Sequence, residues 1–347
     1  MKQKLFFLLS FFFFSGVYSF AQIDSTISLE RTTEIYAIKE SDTLRLDLYQ
    51  PSAMSDKNPC VIFMFGGGFV GGSRDRADYI PFFNHLLQKG YAVVSIDYRL
   101  GLKKVGEQMK LQAKIAKEKG EELKKPGKTD FLYTFAGVID MAVEDLYSAT
   151  TYLCHNADKW NIDKDNVIAC GSSAGAISVL HGEYNICNRT DMVKALPDDF
   201  RYAGIISFAG AIFSVNGDLK WENAPAPVQF FHGDADKNVP YDQLRVKILG
   251  IPLKYGFFGS KHIVKQLGDM KVPYYFYSVE NANHSIADSP MQKNWNEVDT
   301  FLDKFVKQKQ KLIINSNIKQ LDKPNVNKKF GISDYLQANG LGANNKK

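Results

Sequence analysis

The sequence predicts an α/β fold: a mostly parallel central sheet flanked by helices on both faces. Three observations predict it. Residues 60–65 form a continuous apolar run, the pattern of a strand covered on both sides, and 91–96 and 228–231 read as further strands. These runs alternate along the chain with stretches whose apolar residues fall at helical spacing. One more run, 167–170, ends in Gly171-Ser172-Ser173-Ala174-Gly175, small residues that let a strand turn at once into a helix.

At 347 residues and 45% hydrophobic content, the chain is long enough to bury a large core. Its 25 Phe and 17 Tyr argue against disorder. The net charge of +5 is mild for this length, and much of the lysine excess lies in one insertion and the C-terminal stretch. A nucleic-acid partner is therefore not expected. Lys2 and Lys4 precede an apolar run over residues 5–14, and Ser19-Phe20-Ala21 offers small residues at the cleavage positions. Residues 1–21 read as a signal peptide cleaved after Ala21, and export to the periplasm or the extracellular space is expected. The run is too short to span a bilayer comfortably, and no other stretch reads as a membrane span.

Four cysteines (Cys60, Cys154, Cys170, Cys187) are few for an exported chain, so no disulfide scaffold is expected. Cys60 and Cys170 sit in strand patterns as buried thiols, and a Cys154–Cys187 pair is left open. No spacing suggests a zinc site or any other metal.

The catalytic domain is expected over residues 22–310. It opens with an antiparallel hairpin, because Ile35 and Ala37, then Leu44, Leu46 and Leu48, alternate with polar residues around Glu40-Ser41-Asp42. After the strand at 60–65 come Gly66-Gly67-Gly68-Phe69, then a helix over 79–89 stopped by Gly90. The strand at 91–96 ends in Asp97-Tyr98-Arg99, where a local ion pair between Asp97 and Arg99 is expected to hold the loop. Residues 102–128 turn to Lys, Glu and Gln, with Val105 and Met109, and Leu111 and Ile115, at helical spacing. That is a charged helical insertion. It reads as a solvated face by default, or as a lid, since it leaves a strand's C-terminal end.

A second helix is expected over 141–157, then the turn Asn161-Ile162-Asp163, the nucleophile strand and the helix after Ser173. Strands follow at 205–208, 228–231 and 274–279, with a helix starting near Ser260 and a last helix over 295–307. Residues 311–347 read as a loose polar tail in which 330–336 can dock.

A serine nucleophile needs a base to take its proton and an acid to hold that base in the right tautomer. Both candidates lie at the ends of predicted strands, where an open parallel sheet gathers its functional groups. The acid is in His232-Gly233-Asp234-Ala235-Asp236, and the base is His284 in Asn281-Ala282-Asn283-His284. The four-residue offset from His232 favours Asp236 over Asp234, and His232 itself reads as a packing residue. The order Ser173, Asp236, His284 is that of a nucleophile-elbow hydrolase. Bare amides of Gly66-Gly67-Gly68, with the amide of Ala174, can face a developing oxyanion.

These pieces resemble the α/β-hydrolase superfamily, carboxylesterase/lipase type, in its hormone-sensitive-lipase-like and feruloyl-esterase-like bacterial branches. The resemblance rests on Phe65-Gly66-Gly67-Gly68-Phe69, Asp97-Tyr98-Arg99-Leu100, residues 171–175, residues 232–240 and His284. It implies Ser173 as nucleophile, Asp236 as orienting acid, His284 as base, and Gly67, Gly68 and Ala174 as oxyanion donors. It implies no cofactor. Two positions depart from the pattern. Phe65 stands where the family usually has His, and Ser172 stands where the hormone-sensitive-lipase branch has an acid, which favours the feruloyl-esterase-like side.

The expected activity is hydrolysis of a carboxylic ester through an acyl-enzyme. The expected substrate is a small-molecule or polysaccharide-linked ester, such as an acetyl or feruloyl ester, or a lipid. A serine peptidase is the enzymatic alternative, and a catalytically silent binding member the non-enzymatic one.

Overall fold

The computed structural model describes residues 30–52, 57–121, 128–248, 251–320 and 324–331, with 334 and 337. The expected signal peptide lies outside the described residues. The hairpin forms as read: β1 (Thr32–Lys39) pairs antiparallel with β2 (Asp42–Tyr49) across Glu40 and Ser41. Next come β3 (Asn58–Met64), α1 (Ile80–Gln88), β4 (Ala92–Ile96), α2 (Gly101–Lys119), α3 (Lys128–Asn156), β5 (Ile162–Ser172) and α4 (Ala174–Cys187). Strands β6 (Gly204–Phe208), β7 (Ala211–Ser214), β8 (Val228–Gly233), β9 (Gln243–Ile248) and β10 (Ile251–Gly259) follow. The chain then forms α5 (Ser260–Asp269), β11 (Tyr274–Val279), α6 (Pro290–Lys293), α7 (Trp295–Phe301) and β12 (Ile313–Ile318).

Among the described residues nine strands join in the order β1-β2-β4-β3-β5-β6-β8-β11-β12. From β4 to β12 every pairing is parallel; only β1–β2 and β2–β4 run antiparallel. Burial explains the sequence pattern. Every residue of β4, β6 and β8 is buried, so those strands show no alternation. Helix α1 covers the sheet through Phe82, Phe83 and Leu86, with its Pro in the first turn, where the lost amide would have no partner. Helix α4 is buried along almost its whole length, as a helix leading away from the centre of the sheet must be.

Several expectations are corrected. Helix α3 starts about three turns before residue 141, because Leu132, Phe135, Val138 and Ile139 repeat at helical spacing and are buried. Asp97 and Arg99 do not pair with each other. Asp97 takes Arg74 through two contacts of 2.9 and 2.8 Å, while Arg99 turns to buried Asp145 and to Glu144. Both residues lie beyond the last residue of β4, and each takes a nearer partner from another segment. All four cysteines are free thiols, so the open Cys154–Cys187 pair is not formed.

A second sheet, β7-β10-β9, was not foreseen. It is held by an aromatic cluster in which Phe213 lies 4.5 Å from Phe257 and 5.5 Å from Phe135 of α3. The stretch expected as tail from 311 instead supplies β12, the edge strand parallel to β11. Beyond it, Phe330 is half-buried against the core, and Lys328 reaches Asp234 at 2.7 Å. The remainder of the expected 330–336 docking segment lies largely outside the described residues. No described helix is long and apolar enough to cross a membrane.

Candidate active site

The corner between β5 and α4 is shaped by what is missing. A Cβ on Gly171 would stand 2.3 Å from the backbone of Gly175, and one on Gly175 would stand 2.1 Å from the carbonyl oxygen of Met64 on β3. Neither residue can carry a side chain, so strand and helix close on each other and Ser173 is forced to the apex. Its backbone sits at φ 51°, ψ −113°, a strained conformation for a non-glycine residue. The amide of Ser173 donates to Phe208 O at 2.8 Å, and its carbonyl receives Ile177 N at 2.9 Å, so both sides of the corner are pinned.

The structure brings three of the sequence-predicted residues into line. Ser173 Oγ lies 2.7 Å from His284 Nε2, and His284 Nδ1 lies 2.7 Å from Asp236 Oδ2. His284 stands at the start of a single 3-10 turn, whose preceding residue Asn283 accepts Ser285 N at 3.1 Å. Asp236 is buried in the turn that follows β8; its Oδ1 accepts Asn238 N (2.7 Å) and Val239 N (3.0 Å). Burial pushes this carboxyl up, but His232 and His284 outweigh it, and the group is held well below the usual carboxylate range. Asp234 turns away, accepting Asn281 N at 2.6 Å and pairing with Lys328.

The glycine loop lies opposite. Gly67 has φ 138° and Gly68 φ 62°, and a Cβ on Gly67 would stand 2.1 Å from Gly71 O. Among the described residues no hydrogen bond claims the amide of Gly68 or Ala174. Both residues, with Phe69, Ser173, Ile177, Asn238 and Val239, enclose a space of about 10 Å³. That is about the room one oxygen-sized atom needs. Gly67 borders instead a larger cleft of about 320 Å³, together with Arg76, Ser172, His284 and Asp288.

Phe65 braces the loop by a different route from a histidine. Its ring stacks on Tyr98 at 4.4 Å, and Tyr98 donates its hydroxyl to Phe65 O at 2.9 Å. On the other side Gly66 N donates to the hydroxyl of Tyr79 at 3.4 Å.

Arg76, Asn238 and Asp288 were not singled out from the sequence. Arg76 lies over the Tyr79 ring at 4.8 Å and donates to Asp78 at 2.7 Å, while Asp288 accepts Ser172 Oγ at 3.4 Å. Asn238 had a signal, its place two residues after the acid. Arg76 and Asp288 had none, since a loop charge looks the same at a cleft and at an ordinary surface. Among the described residues α2 lines neither space; it is tied to the glycine loop through Lys103 N, which donates to Phe69 O at 3.2 Å.

The BD-FAE family matches residues 46–110, a stretch that contains the glycine loop and Asp97-Tyr98-Arg99 but none of Ser173, Asp236 and His284. The gibberellin receptor GID1B of Arabidopsis thaliana is 36% identical over 89 residues, 24% of this chain and 24% of the receptor. The chain thus matches about a quarter of that curated relative's length. Among solved structures, native esterase 2 of Thermogutta terrifontis has a TM-score of 0.52 at 15% identity, covering 82% of this chain and 94% of that one. The same enzyme phosphoramylated by tabun has a TM-score of 0.52 at 17% identity, covering 79% and 94%. At such identities the likeness is one of fold.

Proposed function

We propose that this chain, an α/β-hydrolase of the carboxylesterase type, is an exported serine ester hydrolase that works through an acyl-enzyme. The observation that carries the reading is the unbroken line from Ser173 Oγ to His284 to Asp236, with 2.7 Å at each step. His284 Nε2 takes the hydroxyl proton as Ser173 attacks the ester carbonyl, and Asp236 steadies the imidazolium that forms. The carbonyl oxygen moves into the small space beside the amides of Gly68 and Ala174, with Gly67 shaping the loop that carries the first of them. His284 then protonates the departing alcohol, and a water repeats the sequence in reverse.

The two spaces suggest which ester. The pocket enclosed by Phe69, Ile177 and Val239 leaves little room beyond the carbonyl oxygen, which favours a short acyl group such as acetyl. The larger cleft presents Arg76, Asn238 and Asp288, which suits a hydroxyl-rich alcohol such as a sugar better than a lipid chain. Turnover of p-nitrophenyl esters of increasing acyl length tests the acyl part. Acetate should be preferred over octanoate by at least about tenfold, and Ser173→Ala should abolish turnover with the fold intact. Equal rates on all chain lengths would remove the acyl-size reading and keep the esterase.

The match to a receptor gives the binding-only reading a specific footing. Paraoxon phosphorylates the solved esterase 2, and labelling of Ser173 by paraoxon separates the two readings here. A wild-type chain that stays unlabelled and hydrolyses no ester would favour binding.

A further inference from the structure

Two histidines approach Asp236, and only one of them faces Ser173. The other, His232, lies on β8 and is fully buried. Its Nδ1 is 2.8 Å from the hydroxyl of Ser260, the first residue of α5. Its Nε2 is 3.3 Å from Val239 O and 3.4 Å from Asp236 Oδ2, the same oxygen that takes His284 Nδ1. Both neighbours of Nε2 accept, and neither the carbonyl nor an ionised carboxylate can donate, so this nitrogen must carry a proton. In the neutral ring Nδ1 then accepts from Ser260, whose hydroxyl is closer to it than to Gly210 O at 3.3 Å. Val239 closes the circle, because its own amide donates to Asp236 Oδ1.

We propose that His232 is a positioning residue for Asp236. Its Nε2–H, kept on that nitrogen by the two acceptors it faces, holds the turn 236–239 through Val239 O and shares Oδ2 with His284. The contact to Oδ2 is long and divided between two acceptors, so the effect is one of orientation and charge distribution, not of a strong single bond. The tautomer follows from the geometry alone, while the catalytic consequence rests on the esterase reading.

A direction follows for His284. A donor beside a carboxylate draws charge away from the oxygen it faces. Without it, more negative charge stays on Oδ2, the imidazolium of His284 is favoured, and its titration moves to higher pH. The groups around the two rings are few. His232 faces Asp236, Ser260 and the edge of the Tyr241 ring at 5.6 Å, whose hydroxyl is engaged by Ser278. His284 faces Ser173 and Asp236, with Arg76 and Asp288 across the cleft.

The test uses the full chain labelled with ¹⁵N-histidine, in the wild type and in His232→Phe, His232→Gln and Ser260→Ala. Gln keeps an N–H near the place of Nε2; Phe removes it. In the wild type, His232 should hold its proton on Nε2 throughout the titration of His284. His232→Phe should raise the His284 midpoint by about half a unit and move the acidic limb of kcat/KM for p-nitrophenyl acetate with it. It should also lower kcat by about tenfold with KM nearly unchanged. His232→Gln should recover most of both, and Ser260→Ala should leave the proton on Nε2, since both acceptors facing that nitrogen remain.

A proton on Nδ1 in the wild type, an unmoved midpoint in His232→Phe, or a Gln variant no better than Phe would each overturn the proposal. Should His232→Phe fail to fold, the Gln and Ser260 variants still decide, since a proton moved to Nδ1 in Ser260→Ala also counts against it. A wild type that hydrolyses no ester would sink the esterase reading, and the tautomer and titration would still judge this one.

Discussion

The corner at residues 171–175 and the loop at residues 66–72 both depend on absent side chains, yet they are held in different ways. At the corner, backbone presses on backbone: Gly175 meets Met64 O and Gly171 meets Gly175 itself, at the buried C-terminal end of β5. In the loop, Gly67 also faces backbone, Gly71 O, but it is exposed, and the loop's position is set by the side chains of Tyr98, Tyr79 and Phe65. Close packing has no soft alternative, whereas a hydrogen-bonded loop can shift by tenths of an ångström. The nucleophile and the Ala174 amide are therefore on the rigid element, and the Gly68 amide is on the adjustable one.

Substitutions can break that contrast, and the largest effect belongs to the corner. Gly175→Ala should lower stability by more than about 4 kcal/mol or prevent folding, because the new methyl has only buried backbone to displace. A urea midpoint close to the wild type would show that the corner yields. Gly67→Ala should instead leave circular dichroism unchanged and reduce kcat by about a hundredfold, as misplaced oxyanion donors do. A folding defect equal to that of Gly175→Ala would erase the distinction.

Asp236 belongs to neither region and supplies a reference between them. Its carboxyl is depressed in the folded protein, so the stability it contributes is fully present above the unfolded value of about 3.9 and is lost as pH falls through the lower folded value. The difference in thermal midpoint between wild type and Asp236→Asn should hold steady from neutral pH down to about 5 and shrink only below about 4. A difference already vanishing near pH 6 would mean that another group titrates.

Smaller effects should come from the loop's braces. Tyr98→Phe leaves the ring stack and removes the bond to Phe65 O, about 1 kcal/mol in denaturant unfolding with a few-fold loss of kcat. Tyr79→Phe removes a longer bond to Gly66 N and should cost about half of that. If Tyr79→Phe proved the more damaging of the two, the loop would be held from its first glycine and not through Phe65.

Much of this was legible in the chain, residue by residue. The corner could be read because steric exclusion at Gly171 and Gly175 is local, so a five-residue window contains its cause. The acid loop and His284 could be read because each follows an apolar run that marks a strand end. The ion pairs could not. Asp97 and Arg99 look like partners two residues apart, but their real partners, Arg74 and Asp145, are 23 and 46 residues away. The strands β7, β9 and β10 escaped for a similar reason, since their stability comes from Phe135 on a distant helix. Strand β12 carries Asn and Ser and becomes a strand only because β11 offers it an edge.

The sequence by itself determined which side chains can act and roughly where along the fold they stand, because periodicity and forbidden contacts are properties of neighbouring residues. Only the tertiary structure decided which carboxylate His284 reaches, what holds the glycine loop in the absence of a histidine, and that His232 stands behind Asp236. Those choices depend on distances between segments far apart in the chain, set by how the sheet twists and the helices pack, and no local pattern encodes them.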